Sequence, residues 1–297
     1  FYGWIRFGPA EEWAHLIGIN ALHMIAGLIA VYWMARARLE RRNPHLRFLS
    51  FLFVGLLLHV LGNGVWLFVQ VTDGRIDAPI ISTILWCLSY FSYVLALITK
   101  MRSIGLNFAN KNYIFNLIVF MTTALVMSDY YLLQPYFEIL NPTLERTIST
   151  FGFLIADVLL LFFSAILYYH VRYNHGKPHH RFLVLGFLFQ VCGDVMLTVF
   201  TFNSSPFLEH LVDIFWVIAL LSIGWSGHLE GRHNPQQERL FHSHRTVTER
   251  DFILPYVSIG LLTGFVLSTY DWYLNILSIG WLLLFFLVLG RQIFTLR

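Results

Sequence analysis

Charge is what this sequence most lacks: Asp, Glu, Lys and Arg make up 12% of its 297 residues, about half the roughly 25% of an average soluble domain. So few charges cannot cover a water-exposed surface of this size. With 57% apolar residues and a mean hydropathy of +0.63, the chain reads as a polytopic, all-α membrane protein. Cysteine is nearly absent as well. Cys87 and Cys192 are the two in the chain, each inside an apolar run, which excludes a disulfide framework. The basic excess is small, 20 Lys and Arg against 17 Asp and Glu, so nucleic-acid binding has no support. Catalytic signatures are missing too: the sequence holds no Gly-x-Ser-x-Gly elbow, His-Glu-x-x-His, Walker loop or Rossmann glycine string. The first apolar run follows Glu11 and Glu12 rather than a basic region, so no cleavable signal peptide is expected.

What is present is a series of long apolar runs. A bilayer core needs about 20 such residues per helix, and nine runs meet this, near 13–35, 48–71, 80–100, 112–133, 149–171, 181–202, 208–229, 252–270 and 273–291. Only Tyr270, Asp271 and Trp272 separate the last two. Basic residues should collect in cytoplasmic loops. Alternate connections hold Arg36 to Arg47, then Lys100 to Lys111, Arg172 to Arg181, Arg232 to Arg250, and finally Arg291 and Arg297, in all 17 of the 20 basic residues. The pattern predicts nine spans, with the N-terminus outside and the C-terminus in the cytoplasm.

The runs also repeat. Gly62-Asn63 precedes Trp86 by about the interval at which Gly193-Asp194 precedes Trp216, and Arg-Phe-Leu opens both helix pairs, at Arg47 and Arg181. Asn20 and Asp157 sit at comparable depths in the first and fifth runs. These matches predict a four-helix unit used twice in parallel, over about 13–133 and 149–270, with 271–297 as an exit helix.

Ionisable groups in hydrocarbon cost roughly 2.5–3.5 kcal/mol each on insertion scales. Asp157, Asp194 and Asp213 all fall in the outer half of the predicted membrane, where the first repeat offers Asn20, Asn63 and Thr83. The functional reading is an outward-opening polar pocket for a small ligand, ion or lipid head group, lined by these three acids with Asn20, Asn63, Trp86 and Trp216. The alternative is ordinary hydrogen bonding between helices, which contributes only about 0.6 kcal/mol per bond. His23 and His59, both near mid-membrane, are the candidate ligands for a haem. The motifs Gly-Asn/Asp followed by Trp86-x-x-x-Tyr90 or Asp213-x-x-Trp216 resemble the multi-span sensor regions of bacterial signalling proteins. In that family the membrane unit precedes PAS, GGDEF and EAL domains or a histidine kinase. The segment Gly290 to Arg297 is similar to the helix that leads into their cytoplasmic coiled coils. The resemblance implies a homodimeric input module that signals to a cyclic di-GMP or kinase output, with no catalytic motif of its own in these residues. Gly193-Asp194 also resembles the eight-helix lysoplasmalogenases, in which intramembrane acids would hydrolyse a lipid substrate. A haem-bearing or accessory subunit of a larger membrane complex is the third possibility.

Overall fold

The computed structural model describes residues 12–39, 46–74, 78–103, 111–134, 144–173, 178–203, 206–231, 260, 263–264 and 279–287. All regular structure among them is helical: α1 (Glu12–Leu39), α2 (Leu46–Asp73), α3 (Ile80–Ser103), α4 (Lys111–Ser128), α5 (Leu144–Tyr173), α6 (Pro178–Asn203) and α7 (Pro206–Gly231). Proline opens α6 and α7, where its missing N–H is no loss and its fixed φ suits a first turn. The α2 helix stops because Gly74 adopts φ +65° and turns its N–H back to the Gln70 carbonyl at 3.1 Å, an αL cap.

Six of these helices, α1–α3 and α5–α7, are long and apolar enough to cross a membrane. The fourth predicted span appears as α4, continued by a single π turn (Asp129–Leu133). Of the eighth and ninth predicted spans, only residues 260, 263–264 and 279–287 are described, all helical; the remainder lies outside the described residues.

Compactness divides the helices between two units. One unit comprises Phe1–Gly105 with Glu145–Ser243, and so contains α1–α3 and nearly all of α5–α7. Glycine sets its spacing. A Cβ on Gly224 would lie 2.5 Å from the Ala30 Cα, and one on Gly231 would lie 2.7 Å from the Ala37 Cβ, so α7 and α1 touch almost backbone to backbone. Gly55 and Gly62 bring α2 onto α3, and Gly186 and Gly193 bring α6 onto α7. No glycine does this for α5, whose Gly152 has nothing within 4 Å. This helix joins through side chains: Leu160 and Leu167 enter the core of Leu52, Leu56, Tyr93, Leu97, Phe187, Leu220 and Ile223, and Phe153 meets Tyr90 edge-on at 5.6 Å. Outward faces carry Ile25, Leu28, Ile29, Leu57, Leu61, Ile81, Ile84 and Leu88, the stripes expected against lipid.

Lys100, assigned from sequence to a cytoplasmic connection, lies inside α3, buried. Its Nζ meets Glu230 Oε1 of α7 at 2.9 Å and sits 5.1 Å from the Phe48 ring centroid.

The second unit comprises Leu106–Leu144 and His244–Arg297. Its small core joins Val119 and Val126 of α4 to Leu284, and Trp281 Nε1 donates to Thr263 Oγ1 at 2.8 Å.

Candidate functional site

Two adjacent residues on α6 build the centre of the site. Gly193 has no side chain, so the Trp216 indole of α7 lies directly on it; an added Cβ would come within 2.7 Å of both Cδ1 and Nε1. That placement aims the indole N–H at the neighbouring side chain, and Trp216 Nε1 donates to Asp194 Oδ1 at 2.9 Å. The other carboxylate oxygen, Oδ2, accepts from the Tyr90 hydroxyl of α3 and, at 3.5 Å, from Gln190 Nε2 one turn earlier on α6. Gln190 Nε2 also donates to the Tyr90 hydroxyl oxygen at 2.9 Å. Donors from α3, α6 and α7 therefore converge on a single carboxylate.

The fourth wall is α5. Asp157, 6% exposed, lies against Asp194 with the two carboxyls within hydrogen-bonding reach. A hydrogen bond between two carboxyls requires one proton between them, and like charges this close are held apart from water only at high cost. The remaining Asp157 oxygen, Oδ1, is buried without a hydrogen-bond partner, as is Gln190 Oε1.

The third predicted acid takes a different position. Asp213 of α7 faces α1: its carbonyl oxygen lies 3.1 Å from His23 Nε2, and its Oδ1 lies 3.9 Å from His23 Nδ1. His23 is linked to the centre through Trp216, whose ring centroid is 6.0 Å away. His59 of α2 is buried, with Nδ1 unpartnered. Asp213 thus stands beside both ring nitrogens of His23. Among the described residues no cluster of three or more His, Cys, Asp or Glu is arranged to hold a metal ion.

The predicted residues of the first half form their own contacts. Gly62 lies under Trp86 as Gly193 lies under Trp216, with an added Cβ 2.6 Å from Nε1, and Trp86 Nε1 donates to Asn63 Oδ1 at 2.9 Å. Asn20 does not reach Asn63; its Nδ2 donates to Gln70 Oε1 at 2.6 Å. The predicted set thus separates into an acid centre (Asp157, Asp194, Trp216), a flank (Asp213) and a neutral counterpart (Asn20, Asn63, Trp86).

Two residues of the centre escaped the site reading from sequence, Tyr90 and Gln190. Tyr90 had entered only as part of a motif, four residues after Trp86. Gln190 has a plain signal, a polar side chain one helical turn before Asp194 in an otherwise apolar run. No family model, curated protein or solved structure matches the chain.

Proposed function

We propose that the chain is a membrane-embedded input module that binds a small ligand at the Asp157–Asp194 pair and signals to a cytoplasmic output domain. The observation that carries the reading is the contact of two carboxyls among apolar helices, with donors from three helices directed onto one of them. Hydrogen bonding between helices needs one polar partner each, and Trp86 with Asn63 shows how cheaply this chain can do that. A second acid pressed against the first adds cost without adding adhesion, and such intramembrane groups mark ligand or ion sites. The proposed topology is N-terminus outside and C-terminus cytoplasmic, in a bacterial inner membrane.

A repeated unit supports the same reading. Gly55 and Gly62 on α2 are each 131 residues before Gly186 and Gly193 on α6. Their partners on α3 and α7 are offset by 130: the Gly55 position comes 3.2 Å from the Ser89 carbonyl, and the Gly186 position 3.2 Å from the Ala219 carbonyl. In this register Asn63 corresponds to Asp194 and His59 to Gln190. The repeat supplies a scaffold whose second copy carries acids where the first is neutral.

The test is thermal unfolding of the purified protein in detergent, with and without a lipid extract of bacterial membranes. Wild-type protein is expected to be stabilised, and Asp157→Asn and Asp194→Asn to lose that response. Equal stabilisation of all three would remove the acid pair from the binding site. The carboxyl contact also favours a second reading, a lipid hydrolase in which one acid activates water and the other protonates the leaving group. Release of aldehyde or fatty acid from a lysoplasmalogen or lysophospholipid, abolished in both variants, would replace the first reading with the second.

A further inference from the structure

We propose that the Asp157–Asp194 centre takes a monovalent cation, either an alkali-metal ion or the ammonium group of an amine-bearing lipid. This rests on the reading of the pair as a binding site and names the chemistry of its ligand.

The donors and acceptors at the centre do not balance. Its donors are the Tyr90 hydroxyl, the Trp216 indole N–H and the Gln190 amide, and all three are directed onto Asp194 or onto the Tyr90 oxygen. The orientation of the Gln190 amide follows from its neighbours: its nitrogen faces two oxygens, so a reversed amide would set three oxygens against one another. Gln190, 2% exposed, therefore keeps Oε1 as an acceptor with no partner, on an amide already seated at the acid pair. Asp157, 6% exposed, keeps Oδ1 in the same state. Both unpartnered atoms are oxygens with lone pairs, and neither is a donor.

Charge narrows the choice further. Every side chain that donates to the centre is neutral, so hydrogen bonds spread the negative charge of the two carboxyls without cancelling it. A neutral hydroxyl or water satisfies lone pairs but leaves that charge; a cation satisfies the lone pairs and neutralises the charge. An all-oxygen set of carboxylate, amide and hydroxyl groups suits a hard ion or an ammonium. With one proton shared between them, the two carboxyls carry a single negative charge. Among the described residues no third acid, histidine or cysteine is grouped with them to hold a metal, so the site matches one positive unit better than two.

The test is thermal unfolding of purified protein at fixed pH and ionic strength. Sodium, potassium or ethylammonium chloride replaces N-methylglucamine chloride, a cation too bulky for a closed helix bundle. A cation present at tenfold or more above its Kd is expected to raise Tm by about 3 °C. Asp157→Asn is expected to abolish the rise, and Gln190→Leu to weaken it by at least tenfold in half-maximal concentration. Asp73→Asn, at the exposed end of α2, is expected to leave it unchanged. If Asp157→Asn does not fold, Asp194→Asn serves instead, because Asn63 already makes the same contact with Trp86 at 2.9 Å. A response to sodium or potassium identifies an inorganic ion. A response to ethylammonium alone, reproduced by phosphatidylethanolamine but not phosphatidylglycerol nanodiscs, identifies a lipid amine. No response to any cation, or the same response in wild type and Asp157→Asn, overturns the proposal. In that event, stabilisation of wild type alone by a desalted neutral-lipid extract would retain the binding site with an uncharged ligand, and its absence would dismiss both.

Discussion

The pairs α2–α3 and α6–α7 perform the same packing manoeuvre with different chemistry. Each places a glycine under a tryptophan and sends the indole N–H to the residue after the glycine, at 2.9 Å in both cases. In the first pair that residue is Asn63, satisfied by Trp86. In the second it is Asp194, which gathers three donors and faces another acid. The glycine–indole contact with one neutral partner therefore joins two helices in the first pair, and the acid is what distinguishes the second. A second contrast accompanies the first. On the proposed register, Gly224, Gly227 and Gly231 of α7 correspond to Val94, Leu97 and Met101 of α3. Glycines let α1 lie directly on α7, whereas large residues occupy the face of α3 at the corresponding places, and α5 meets its neighbours through side chains. Among the described residues, α5, which carries Asp157, packs without a glycine contact.

The largest expected effect tests where the two halves meet. Lys100→Met should destabilise the protein by about 3–5 kcal/mol, because it leaves Glu230 buried without the cation facing it. The double variant with Glu230→Met should recover most of that loss in a melting experiment; failure to recover would mean that packing, not charge, joins these positions. Next is the exchange of chemistry between the halves. Asn63→Asp should cost about 2–3 kcal/mol, the insertion cost of an acid without the Tyr90 and Gln190 donors. Asp194→Asn should change stability by less than about 1 kcal/mol, since it reproduces a contact the molecule already contains. Equal costs would erase the distinction between scaffold and site. Gly62→Ala and Gly193→Ala should each cost about 1–3 kcal/mol through overpacking against the indole, and by similar amounts. A large inequality would break the structural equivalence. The smallest effect is a difference of about 1 kcal/mol: Trp216→Phe should cost more than Trp86→Phe, because a bond to a carboxylate contributes more than one to an amide. Topology has its own test, a C-terminal alkaline phosphatase fusion, which should be inactive.

Much of this contrast was legible in the sequence because it is written locally. Gly-Asn and Gly-Asp are adjacent residues, and each tryptophan lies on the next helix, so hydropathy and spacing expose the motif without coordinates. Partners on distant helices were not legible. The azimuth of α3 against α6 decides that Tyr90 meets Asp194, and no periodicity within either helix records it. The same holds for Asp213, which turns toward His23 rather than completing a triad of acids, and for Lys100, whose position at the end of an apolar run reads as a loop charge until Glu230 is seen opposite. The Arg-Phe-Leu match also proved less informative than the glycines. Arg47 and Arg181 are 134 residues apart, nearly a helical turn out of the register that aligns Gly62 with Gly193.

Lys100 and Glu230 are 130 residues apart, the same interval that relates Trp86 to Trp216. On the proposed repeat they are one position seen twice, and its two copies meet. In a symmetric dimer of identical half-length chains that position would oppose lysine to lysine or glutamate to glutamate, and burial would make either repulsive. Opposite charges there require two copies whose sequences can differ. If the halves arose by duplication, the buried ion pair would mark a step after which they could no longer be exchanged for one another.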